Sequence, residues 1–101
     1  MSNPEDEVKT EIPSTIPTNG KLVFPDQNYY EIDNAKRFVG RADLKKYTNR
    51  DPNHIARFQF IIYKKGENFF LDHSHMDGTA PLQLENGQVI RVSDVEMKFE
   101  V

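Results

Sequence analysis

The chain has 101 residues, with 13 Lys and Arg against 16 Asp and Glu, so there is room for one compact domain of formal charge −3. It has no cysteine, which excludes a disulfide framework and a thiolate zinc site and leaves hydrophobic packing to hold the core. No apolar window approaches the ~20 residues of a membrane-spanning helix, and no segment reads as a secretory leader; the expectation is a soluble, cytoplasmic monomer with no membrane partner.

Residues 1 to 20, MSNPEDEVKTEIPSTIPTNG, hold three prolines, the acids Glu5, Asp6, Glu7 and Glu11, and few large apolar groups. That composition cannot bury enough surface to offset the entropy of ordering it, so it is expected to be a flexible tail ahead of a domain over 21–101. After Gly20 the chain changes character: KLVF, NYYEID and KRFVG are short β-type runs, separated by Pro25-Asp26-Gln27 and Asp33-Asn34-Ala35. Proline fixes φ and Asx side chains bond the local backbone, which makes both separators turns.

ADLKKYTNRDPNH is polar, and Asp51-Pro52 opposes a helix through that point, so the segment reads as a loop. IARFQFIIYKK reads as a central strand in which Phe58, Phe60 and Ile62 share one face while Ile61 and Tyr63 keep the other partly apolar. A turn at Lys65-Gly66-Glu67-Asn68 leads into the strand FFLDH, and Asn86-Gly87 is a dipeptide of tight hairpins. QVIRV and VEMKFEV close the chain; in the last, Val95, Met97, Phe99 and Val101 alternate with Glu96, Lys98 and Glu100, the period of a strand with one buried face. No amphipathic helix is evident. Many short strands at this spacing predict an all-β fold, a sandwich or small barrel.

Basic residues concentrate between Lys36 and Lys65. One local cluster in an acidic chain fits a single phosphate or carboxylate better than a polyphosphate, so no nucleic-acid partner is expected. The stretch FLDHSHMDGT raises three chemistries. His73 and His75, at i and i+2 of a strand, would share a face near Asp72 and Asp77, but a neighbouring pair is a weak metal signal and no metal or other cofactor is expected. Ser74 lies between the two histidines, yet strand neighbours point to opposite faces, and no nucleophile elbow or glycine-rich phosphate loop occurs, so no catalytic residue is assigned. The third chemistry is ligand recognition by loops. Gly40-Arg41 ends a strand, Arg57 follows the polar loop and Asp77-Gly78-Thr79 forms a later turn, so two guanidiniums at one edge of a sandwich would present fork-shaped donors to a phosphate.

These residues resemble the forkhead-associated (FHA) domain, a phosphothreonine-peptide reader. FVGRAD matches the family's strand ending in Gly-Arg, Ala56-Arg57-Phe58-Gln59 stands at its Ser-Arg-x-His, Asp72, Gly78 and Thr79 in DHSHMDGT match part of Asp-x-x-Ser-x-Asn-Gly-Thr, and LENGQVI with MKFEV matches the closing pattern. The resemblance runs over residues 21–101 in family order. It implies an FHA-type β-sandwich of two twisted, mainly antiparallel sheets, reading a phosphorylated protein partner through loops at one end. Carried over by position, Arg41 is the main phosphate ligand, Arg57 lies beside the phosphate, Asn53 supplies an amide, and Gly78 and Thr79 shape the turn under the peptide.

The departures are specific. The phosphate-donating serine is Ala56, the bracing histidine is Gln59, the turn serine is His75, and the asparagine that pairs with peptide backbone is Asp77. A carboxylate accepts but cannot donate. The sequence therefore leaves open a phosphothreonine-dependent adaptor and a degenerate scaffold that binds proteins without reading phosphate. A further alternative has Thr10, Thr15 or Thr18 of the tail, once phosphorylated, occupying the site. Short archaeal regulators that join a zinc ribbon to an FHA domain are one similar setting, and the missing cysteines mean that no ribbon is present in this chain.

Overall fold

The computed structural model describes residues 19–101. Residues 1–18, including Thr10, Thr15 and Thr18, lie outside the described residues. Eight strands form two four-stranded antiparallel sheets. One sheet has the order β2-β1-β8-β7 and the other β3-β4-β5-β6. In chain order they are β1 (Gly20–Val23), β2 (Tyr29–Ile32), β3 (Arg37–Val39), β4 (Phe60–Lys65), β5 (Asn68–Asp72), β6 (Leu82–Leu84), β7 (Val89–Val92) and β8 (Val95–Glu100). Both sheets turn their apolar faces inward, and this is the two-sheet sandwich that the sequence predicts.

The alternation in β8 holds: Val95, Met97 and Phe99 are buried while Glu96 and Lys98 face water. Phe60 and Ile62 of β4 and Phe69 and Leu71 of β5 meet them from the other sheet, and Phe69 and Phe99 pack with ring centroids 4.9 Å apart. Gly20, which composition places in the tail, is the buried first residue of β1. A Cβ there would lie 2.6 Å from the Phe99 ring, so only glycine leaves room for the Phe69–Phe99 pair. Because Lys21 pairs with Glu100, the described chain enters and leaves the fold on adjacent strands at one pole.

Four expectations need correction. Phe58 lies ahead of β4 and is 61% exposed, so it does not share the inner face of Phe60 and Ile62. Val101 is likewise exposed beyond the end of β8. Asn86-Gly87 does not close a hairpin, because the strands it separates, β6 and β7, belong to different sheets; Gly87, at φ 86°, instead turns the chain across the sandwich and donates its N–H to the Phe99 carbonyl. Lastly, the polar loops contain short helical turns: α1 (Arg41–Leu44), a 3₁₀ turn (Pro52–His54) and α2 (Ser74–Asp77). None is long enough to show a helical hydrophobic period, which is why the sequence pattern misses them. The Lys65–Asn68 turn is observed as predicted, with Gly66 at φ 64° between paired Lys65 and Asn68.

Candidate functional site

The pole opposite the chain ends is built from the 40–59 loop, the 73–81 loop and the β1–β2 and β7–β8 turns. Gly40 opens it. Its backbone is extended, but a Cβ at this position would lie 1.7 Å from the Arg57 carbonyl oxygen, so the close approach of the two loop ends admits only glycine. Arg41 follows as the first residue of α1. Its N–H donates to the Ala56 carbonyl at 3.0 Å and its side-chain Nε to the Ile55 carbonyl at 2.9 Å. The Nε bond fixes the guanidinium against the loop and leaves its terminal nitrogens for a ligand.

Asp43 organises this start. One carboxylate oxygen accepts from the Gly40 N–H at 2.8 Å and the other from the Tyr30 hydroxyl at 2.6 Å. Burial, and next the bond to Asp43, push the Tyr30 phenol up to about 12, so it remains a donor throughout the physiological range. Tyr30 also packs edge-on against Phe24, and the Arg37 guanidinium lies over its ring. Leu44 and Ile55, both fully buried, pin the two ends of the loop to the core.

The middle of the loop is tied to the neighbouring turns. Tyr47 stacks on Phe24 and donates to Asp26 in the β1–β2 turn. Asp94, in the β7–β8 turn, accepts from the Thr48 hydroxyl and from the Asn49 N–H. These two bonds, the Thr48 one first, hold the Asp94 carboxyl below the usual carboxylate range. Asp51 accepts from the Asn53 N–H at 3.0 Å and caps the 3₁₀ turn, with Pro52 at its first position, where the missing N–H costs nothing.

Beside this loop, α2 replaces the expected end of a strand. Gly78 caps it at φ 74°, a conformation that favours glycine. Asp77 accepts from the Thr79 hydroxyl at 2.7 Å and from the Thr79 N–H at 3.1 Å, and lies 3.1 Å from Nδ1 of His73. The Thr79 hydroxyl, then its N–H, lower the Asp77 carboxyl, which is therefore ionised at neutral pH. The helical turn separates the two histidines that a strand would have aligned. His73 turns to Asp77, whereas Nε2 of His75 donates to the Phe58 carbonyl at 2.8 Å.

His75 thus joins α2 to the end of the 40–59 loop. Gln59 braces the same corner, its side-chain carbonyl accepting from the Ala56 N–H at 3.1 Å and its amide reaching the Met76 sulfur at 3.6 Å. Gln59 and His75 thus tie the 73–81 loop to the end of the 40–59 loop.

Arg41, Ala42, Lys45 and Arg57 line one open cleft of about 320 Å³. Three of the four are cationic and none carries a carboxylate, so the cleft presents a concentrated positive field. Of the sequence candidates, Arg41 and Arg57 come together here, while Asn53, Asp77 and Gly78 stand in the adjoining turns and do not line it. Lys45, Tyr30 and Asp43 were missed. Asp43 accepts from the Gly40 N–H as the acid of a capping box would, but glycine at the N-cap has no side chain to complete the signature, so the sequence does not announce it; the Tyr30 contact, 13 residues away, has no local signal either.

No family model and no curated protein matches the chain. A solved structure from a structural and functional analysis of phosphothreonine-dependent FHA domain interactions is similar to it with a TM-score of 0.62 at 17% identity, covering 83% of this chain and 97% of that one. At that identity the likeness establishes the architecture alone, an FHA-like β-sandwich.

Proposed function

We propose that this domain is a phosphothreonine-peptide-binding adaptor, which joins a phosphorylated protein partner in signalling or regulation and performs no reaction of its own. The observation that carries this reading is the convergence of Arg41, Arg57 and Lys45 on one cleft at the loop pole of an FHA-like sandwich. A phosphate dianion there meets the terminal nitrogens of Arg41 as a planar fork, with Arg57 and Lys45 adding charge. Asn53 offers an exposed side-chain amide from its turn, and Asp77 and Gly78 flank the peptide path.

The solved structure's own description, phosphothreonine-dependent interaction, supports the same ligand class. Titrating the labelled domain with a degenerate phosphothreonine peptide library and its unphosphorylated twin tests it. Movement of the Gly40, Arg41, Arg57 and Gly78 amides by the phosphorylated pool alone is the expected result. Equal movement by both pools would refute it.

A second reading, a scaffold that binds proteins independently of phosphate, draws on two residues. Ala56 has no hydroxyl to give the phosphate, and the ionised Asp77 repels it. Under that reading Arg41→Ala leaves partner binding unchanged.

A further inference from the structure

A sheet face open to water normally alternates toward polar residues. The outer face of β3-β4-β5-β6 departs from that rule along one strip. Phe38 pairs with Ile61 and Tyr63 with Phe70 across it, and Phe58 packs against Phe38 with centroids 5.7 Å apart. Phe38 is 56% and Phe58 61% exposed, so water covers most of that pair. Toward β6 the strip gives way to polar groups of the same face, Asp72 standing opposite Ile61 and Gln83 opposite Phe70, and on its other side β3 is the edge of the sheet. One end of the strip adjoins the cationic cleft, because Arg57, which lines the cleft, is the residue before Phe58.

We propose that this strip is the second half of the partner-binding surface, covered by an apolar stretch of the same protein whose phosphothreonine occupies the cleft. The inference rests on the phosphothreonine reading above and adds what else that partner carries. Two observations select this occupant. The first is continuity: a partner already held by its phosphate presents its next residues at high effective concentration, so apolar contacts beyond Phe58 add affinity without a second loss of translational freedom. The second is width. Two strands across and five residues from Phe58 to Tyr63 make a strip of roughly 10 Å by 17 Å, room for one extended segment. That area is far short of the about 800 Å² that each copy contributes to a stable dimer. Length then places the contacting residues. The outstretched Arg57 side chain and the step to Phe58 span on the order of 13 Å, and an extended chain advances about 3.3 Å per residue. The partner's apolar residues therefore fall roughly four to nine positions from its phosphothreonine.

The probes are phosphothreonine peptides with mixed Leu, Ile, Val and Phe at those positions, N-terminal to the phosphothreonine in one pool and C-terminal in another, and a third pool with Ser and Gly there. In calorimetric titrations the unsubstituted chain is expected to bind one apolar pool about tenfold more tightly than the Ser/Gly pool. Phe38→Ser combined with Phe58→Ser should erase that preference and leave affinity for the Ser/Gly pool unchanged, since both side chains lie outside the core. Equal affinity for all three phosphorylated pools would overturn the proposal and leave the phosphothreonine reading standing, as would a preference that survives the double substitution. Failure of every phosphorylated pool to bind would overturn both. A concentration-dependent dimer in sedimentation, dissociated by the same double substitution, would assign the strip to a second copy and reject the proposal.

Discussion

Asp43 holds the entrance of the cleft through two bonds, one to the Gly40 N–H and one from the Tyr30 hydroxyl. Replacing it by alanine leaves a partly buried N–H without its acceptor, and chemical denaturation of Asp43→Ala should show a loss of about 1–3 kcal/mol. Tyr30→Phe removes one bond to a charged carboxylate and should cost about 1.5–3 kcal/mol, with a shift of the Gly40 amide. Tyr30 itself should ionise at about 12 in a spectrophotometric titration. Since its folded value is raised above the ordinary 10.0, the stabilisation it provides is complete below 10 and is lost as the pH climbs through about 12. Ala56 offers the converse experiment. Ala56→Ser returns a hydroxyl to the loop, and a bond to a charged phosphate worth about 1.5–3 kcal/mol should tighten phosphopeptide binding roughly tenfold or more in a calorimetric titration; no tightening would place the phosphate elsewhere.

At the scale of elements, the strands were legible because their signal is local. The period-two pattern of β8, the turn chemistry at Lys65–Asn68 and the Gly-Arg strand end can each be read within a few residues. What escaped reading is non-local or too short to be periodic. Phe58 looks like a continuation of β4 by alternation, yet the strand begins at Phe60, after Gln59 turns its side chain to the Ala56 N–H. Asn86-Gly87 has hairpin chemistry, but only the pairing of β6 with β5 and of β7 with β8 shows that the chain changes sheets there. Likewise Arg41 and Arg57 were found by motif order, whereas Lys45 needed the four-residue helix α1 to bring it to the same cleft. The turn after β5 should respond to acid. Asp77 is lowered by its bonds to Thr79, so the support it gives the α2 end is present above the ordinary carboxylate value of 3.8 and is lost as the pH falls through the depressed one. The Thr79 amide shift, followed below pH 5, should report a midpoint below 3.8.

Across the whole molecule the sheets and core give rigidity, and the loops at one end hold the cationic cleft. Arg41→Ala should cost about 1–3 kcal/mol of stability, because it strips the Ile55 carbonyl of its donor, while weakening phosphopeptide binding by at least tenfold. Phe99→Ala should cost about 3–5 kcal/mol by opening a cavity beside Phe69 without touching the cleft. The adjacent entry and exit of the described chain, set by Lys21 pairing with Glu100, has a practical side. Neighbouring strands lie about 4.8 Å apart, so residues 19–101 can be spliced into a surface hairpin of an unrelated carrier with little stretching of either junction. The cationic cleft, at the far pole, would then face away from the carrier and stay open to solvent.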